Sequence, residues 1–188
     1  MGRQGWWDGR GLQMTEQAGI KDPQIRRIRA DEWLAMRSLR LHALADAPTA
    51  YGSTLAQEQS YSEEVWRERS LGTSSGCERA TFVAERDGIW IGMVTGMANQ
   101  QGETKDSTLL VAMFVATSAR REGIGVALVD ALTSWARDCG ANQIALWVTS
   151  DNDPAVSLYQ RCGFRFTGVS KSHAHTPGLT ELEMVRRL

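Results

Sequence analysis

The chain has 188 residues, 42% of them hydrophobic and 23% charged, with a net charge of -1 at neutral pH. That length suits one domain, and that balance supports one buried core. A charge so near zero argues against a strongly charged nucleic-acid or membrane partner, and no apolar run approaches the roughly 18 residues of a membrane span.

Residues 1–22 are rich in Gly, Gln and charge, and read as a flexible leader ahead of a single domain over 23–188. Trp6 and Trp7 are its only large aromatics, and Met14 offers a second start. The segment "IRRIRA", Ile25 to Ala30, is expected to form the first strand. Asp31 stands where a helix N-cap belongs, ahead of Trp33, Leu34, Met36, Leu39, Leu41 and Leu44 at mostly helical spacing. Pro48 and Gly52 break that helix, and a second short helix is expected from about Ser62 to Leu71, followed by "LGTSSG" as a flexible connection.

The pattern then turns strand-like. "ATFVAER" and "IWIGMVTGMA" are apolar runs joined by Asp87-Gly88, a strong hairpin signal. "QQGETKD" is a further turn, and "STLLVAMFVA" is apolar enough for a central strand. A helix to about Cys139 follows, with Leu128, Leu132 and Trp135 on one face and Gly140 at the stop. "QIALWV" is a strand, residues 152–161 a short helix ended by Gly163, and "FRFTGVS" with "LTELEMVRRL" a closing hairpin. The order β-α-α-β-β-β-α-β-α-β-β describes an α/β (α+β) domain with a mixed, mostly antiparallel twisted sheet. Its strand-helix-strand unit from Ser107 to Val148 should be a right-handed crossover between parallel strands.

Cys77, Cys139 and Cys162 are an odd set without C-x-x-C spacing, which fits free thiols in a reducing compartment and a cytoplasmic protein. His173 and His175, two apart, would share one face of a strand, but no third ligand accompanies them, so no metal site is expected.

"ARREGIGVAL", Ala119 to Leu128, is the stretch with most chemical content. Two readings of it stand. A helix start with glycines offers unpaired N–H groups to an anion. The other reading is a glycine turn with solvated arginines. A dinucleotide turn fits less well, because Leu128 stands where G-x-G-x-x-G needs its third small residue.

Two motifs decide between them. "FVATSARREGIG" meets R-x-x-G-x-G with Arg120, Gly123 and Gly125. "NDPAVSLYQRCGF" meets N-x-x-A-x-x-L-Y-x-x-x-G-F with Asn152, Ala155, Leu158, Tyr159, Gly163 and Phe164. Together, at this spacing, they resemble the GNAT superfamily of acyl-CoA-dependent N-acyltransferases, and "RSLRLHALADAPTAYGSTLAQE" resembles the opening helices of many members. The resemblance implies a sheet of about seven strands flanked by about four helices. It implies that the backbone of Arg121, Glu122, Gly123, Ile124, Gly125 and Val126 cradles the pyrophosphate of acetyl-CoA, with Arg120 and Arg121 adding charge at the rim. It implies further that main-chain groups of Met113, Phe114 and Val115 hold the pantetheine arm and polarise the thioester, and that Asn152 hydrogen-bonds the pantetheine amides.

On the same grounds Tyr159 is expected to be the general acid that protonates the departing thiolate; read without the motif, it is a tyrosine capping the core. Asn152, read without it, is a helix N-cap. Many relatives carry a glutamate base on the strand before the loop, but "STLLVAMFVA" has no acid. Glu58, His173 or His175 through water are substitutes. Cys162 lacks a neighbouring base, which favours direct transfer in a ternary complex over an acyl-enzyme. The expected acceptor is a small-molecule or peptide amine, its site lined by Tyr51, Trp66, Trp90, Trp147 and His173. Glu58, Glu63 and Glu64 would draw a cationic amine, or else form a solvated face. A GNAT-fold coenzyme A-binding sensor or assembly protein is the alternative function. Members of the superfamily often pair as homodimers.

Overall fold

The computed structural model describes residues 22–99 and 106–188. The leader reading and most of the "QQGETKD" turn therefore lie outside the described residues. Seven strands form one sheet in the order β1-β2-β3-β4-β5-β7-β6. They are β1 (Gln24–Arg27), β2 (Arg79–Arg86), β3 (Ile89–Asn99), β4 (Ser107–Val115), β5 (Gln143–Thr149), β6 (Arg165–Ser172) and β7 (Thr180–Arg187). Five helices flank them: α1 (Trp33–Asp46), α2 (Leu55–Gln59), α3 (Glu63–Ser74), α4 (Ile124–Asp138) and α5 (Asp153–Arg161). Every adjacent strand pair is antiparallel except β4 and β5, which run parallel across the α4 crossover.

The first helices depart from the expectation. Asp31 does not cap α1; Glu32 stands at that position and makes no side-chain cap. Its carboxylate is taken instead by the Arg26 guanidinium and the Arg29 backbone N–H. A charged pair outcompetes a cap, because hydrogen bonds between ionised groups are the stronger ones. The helix α2 was not expected: five residues are too few to show a period. It starts where Thr54 Oγ1 accepts the Gln57 N–H at 3.2 Å. Helix α3 runs on through Gly72, so most of "LGTSSG" is helix rather than a flexible connection.

Two cores cover the two faces of the sheet. On one face α4 lays Leu128, Leu132 and Trp135 against Ala80, Ala84, Val94 and Leu110. Burying each leucine is worth about 1.5–3 kcal/mol. On the other face α1 and α3 set Met36, Leu39, Leu44 and Trp66 against Val83, Met93 and Phe114. Leu110 and Phe114 are four apart on β4, yet they belong to opposite faces. The reason is a bulge. Thr95 pairs with Val111 and Met93 with Phe114, so β4 carries one extra residue there, and Ala112 sits at φ 53°. An inserted residue reverses the alternation beyond it.

Cys77 and Cys139 form a disulfide, joining the start of β2 to the end of α4; Cys162 is free and buried. This corrects the expectation of three free thiols. The cysteines therefore no longer argue for a reducing compartment. Among the described residues, no helix is long and apolar enough to cross a membrane.

Candidate active site

Strands β4 and β5 pair only over Ser107–Leu109 and Gln143–Ala145. Beyond that point they part, and the backbone of β4 on its β5 side has no strand partner. A cavity of about 530 Å³ opens in the notch. One wall is β4 from Leu109 to Met113; the other is Val148 and Thr149 of β5 with Asn152 just ahead of α5 and Ala155 and Tyr159 within it. Its far end is closed by Arg40, Glu58, Trp66 and Arg69 from the early helices and by Tyr51 from the segment between α1 and α2.

The loop into α4 turns twice through the left-handed region, at Arg121 (φ 69°) and Gly123 (φ 83°). The first helical bond runs from the Ala127 N–H to the Gly123 carbonyl at 3.1 Å. The N–H groups of Ile124, Gly125 and Val126 precede it and face past the helix end, at the positive pole of the α4 dipole. Ile124 is buried and anchors the turn. Gly123 has open space around it, with nothing within 4 Å of where a Cβ would be.

The charged residues of this loop divide. Arg120 pairs with Asp46 at the end of α1, and its Nε donates to the Val115 carbonyl at 3.0 Å. It is a strap between elements rather than a free rim charge. Glu122 pairs with Arg86. Arg121 is exposed and makes no such contact among the described residues.

Tyr159 is 6% exposed, its ring edge-on to Phe164 at 5.8 Å between centroids. Burial, with the Tyr51 phenol and Cys162 adding to it, pushes the Tyr159 phenol up from its ordinary value, so it stays protonated well past neutrality. Asn152 caps α5 by accepting the Ala155 N–H at 3.2 Å, and its side-chain amide N–H groups remain for the cavity. On β4, the Met113 carbonyl accepts the Tyr51 hydroxyl at 3.1 Å. Phe114 is buried in the α1 core, so only its main chain can meet a ligand. Cys162 is buried at the end of α5, and burial pushes its thiol up, away from the reactive thiolate.

Glu58 is 3% exposed on α2 and lines the cavity. Burial alone would raise its pKa. Hydrogen bonds from Arg40 and Ser53, and the charges of Arg40 and Arg69, outweigh that and hold the carboxyl below its usual range. Arg40 Nη2 lies 2.9 Å and Arg69 Nη1 3.2 Å from it. A carboxylate held this way is a weak base. Glu63 pairs with Arg67 on the outside of α3.

Tyr51, Trp66 and Trp147 line the cavity, whereas Trp90 and His173 do not. Trp90 instead lies beneath the Arg26 guanidinium. His173 and His175 are in the β6–β7 connection, not on a strand. The buried His173 Nδ1 accepts the His175 N–H, and the His175 ring meets the Gly52 carbonyl. No group of three or more metal-ligating side chains occurs among the described residues. Reading the sequence missed Arg40 entirely, since nothing in "RSLRLHAL" marks which arginine turns inward.

The sequence matches the family model described as Acetyltransferase (GNAT) family over residues 36–164. The chain belongs to the GNAT acetyltransferase family. This GNAT chain is 34% identical to human N-acetyltransferase 8 over 90 residues, 47% of this chain and 40% of that protein. It is 29% identical to the L-amino acid N-acetyltransferase AaaT of Escherichia coli K12 over 154 residues, 80% of this chain and 87% of that one. The chain spans less than half the length of the first curated relatives it matches. Its fold superposes on yncA from Salmonella typhimurium, solved with its cofactor acetyl-CoA, at a TM-score of 0.71 and 17% identity, covering 89% and 95% of the two chains. The seven-stranded mixed sheet is the GNAT fold, with five helices where four were expected.

Proposed function

We propose that this GNAT chain transfers an acetyl group from acetyl-CoA to a primary amine by direct attack in a ternary complex. The observation that carries the reading is the notch: β4 and β5 part after Leu109 and Ala145, and Tyr159 lines the gap. The names of the relatives support an amine acceptor, and the acetyl-CoA held by yncA supports the donor.

In this reading the N–H groups of Ile124, Gly125 and Val126 bind the pyrophosphate, with the backbone from Arg121 shaping the cradle and Arg121 at its rim. The main-chain groups of Met113, Phe114 and Val115 not taken by Tyr51 and Arg120, with the Asn152 amide, hold the pantetheine arm. A β4 N–H polarises the thioester carbonyl. The amine gives up its proton to solvent in the open notch and forms the C–N bond. The C–S bond breaks, and Tyr159 passes its proton to the sulfur and recovers one from solvent. The phenol's raised pKa keeps it protonated at neutral pH, the form that can hydrogen-bond the sulfur.

The test is a panel of amines with acetyl-CoA, read by thiol release. Tyr159→Phe should lower kcat by a factor of about 100 or more, with coenzyme A affinity unchanged by calorimetry. If coenzyme A binds and no amine of any class releases thiol, the transferase reading is lost to the coenzyme A sensor.

A further inference from the structure

We infer that the acceptor is an amine that also carries a carboxylate, received at Arg40 and Trp66. This rests on the transferase reading above and specifies its acceptor end.

Of Glu58, Glu63 and Glu64, read either as drawing a cationic amine or as a solvated face, only Glu58 lines the cavity. Glu58 is already shared by two guanidiniums, the buried Arg40 and the part-exposed Arg69, and the charged lining there, Arg40, Arg69 and Arg79 against Glu58 and Glu68, leaves one positive charge in excess. Further out, Lys171 and Glu181 cancel each other. A polyamine approaching Glu58 would meet the two arginines that hold it.

The cluster also has unused donors. Arg40 spends Nε on Glu58 and Nη2 on Glu58 and Ser53. Its Nη1 is buried with no acceptor, and so is the indole N–H of Trp66, a residue 1% exposed. Leaving a buried donor unpaired costs about 1–3 kcal/mol, and more for a charged one. Both side chains line the cavity, with the two donor nitrogens closed off behind its surface, so a carboxylate reaches them as these side chains shift to meet it. A carboxylate is the group that answers a spare guanidinium N–H, an indole N–H and an excess positive charge together.

Tyr51 ties this end to the reacting end. Its ring lies 4.5 Å below the Arg40 guanidinium, and its hydroxyl bonds the Met113 carbonyl. A small amino carboxylate held by Arg40 would thus stand within a tyrosine's length of the β4 bulge.

The experiment compares α- and ω-amino carboxylates with their primary amides and with spermidine, using the wild-type chain, acetyl-CoA and thiol release. At least one carboxylate should exceed its own amide tenfold or more in kcat/KM. Trp66→Phe and Arg40→Lys should each erode that preference by raising KM for the carboxylate more than for the amide. Amides or spermidine turning over as well as every carboxylate would overturn the inference and leave the transferase intact. Thiol release from none of them, with coenzyme A still bound, would remove the transferase reading and this inference with it.

Discussion

Gly125 and Leu158 meet where α4 crosses α5: a Cβ at position 125 would stand 3.0 Å from Leu158 Cδ2. The second glycine of the loop is thus needed for helix packing, and in the proposed reading for the approach of the pyrophosphate as well. The first is different, with a positive φ and open space. The two alanine variants should separate. Gly125→Ala should push Leu158, and with it the neighbouring Tyr159, costing about 1–3 kcal/mol of stability and lowering kcat. Gly123→Ala should cost about 1–2 kcal/mol from its left-handed backbone and chiefly raise KM for acetyl-CoA. Thermal unfolding and steady-state kinetics on both variants check this; equal kinetic profiles would contradict it.

Glu58 should make stability depend on pH in one direction. Its folded-state pKa is depressed, so its contribution is present above about pH 4.5 and is lost as pH falls from there through the folded value. Glu58→Gln removes the acceptor that the buried Arg40 shares with the part-exposed Arg69, and should destabilise the chain by about 3 kcal/mol at pH 7, the lower end for breaking a buried pair. Urea titrations of both proteins should then converge below pH 4.5. A gap that stays constant down to pH 3 would show that Glu58 is not held as an ion.

The contact between β3 and α4 leaves no room at Gly96. A Cβ there would fall 2.6 Å from Trp135 Cζ3, with Leu132 Cδ1 at 3.2 Å. Trp135 is itself fixed, its indole N–H donating to the Gly76 carbonyl at 3.1 Å and Arg27 lying over its ring. Gly96→Ala must therefore move a buried tryptophan or a strand. The expected loss is about 3 kcal/mol, at the upper end for an overpacked core, seen as a lower midpoint in chemical denaturation.

What the sequence made legible follows the length of each signal. The hairpin turn at Asp87-Gly88 needs two residues at positive φ, and they are found at 51° and 77°. The apolar stripe of α4 repeats over fifteen residues, enough to fix its buried face. The short features were hidden. Nothing about Ala112 marks a bulge, since alanine has no special tolerance for φ 53°; it shows only in the shifted register of β4 against β3. Asp31 is a good cap by type, but Glu32 and Arg26 bind first. At the site, the glycine loop and the Asn152–Tyr159 helix were readable because each keeps its chemistry within a few consecutive residues. The Arg40–Glu58–Arg69 cluster joins three helices, and its sign could not be read from any one of them.

The cysteine pairing is the furthest from anything local, because 62 residues separate Cys77 from Cys139. Closing so long a loop in the unfolded chain is worth about 4 kcal/mol on the chain-entropy account. The link also fastens the last turn of α4 to the segment that accepts the Trp135 and Arg27 hydrogen bonds at Gly76. Reduction should therefore act on stability more than on the α4 N-terminus, a whole helix away. Dithiothreitol is expected to lower the unfolding midpoint of the wild-type chain and to leave a Cys77→Ala, Cys139→Ala variant unmoved, with KM for acetyl-CoA similar in both. Two titratable thiols in the unreduced, denatured wild-type chain beyond Cys162 would show the bond is not formed.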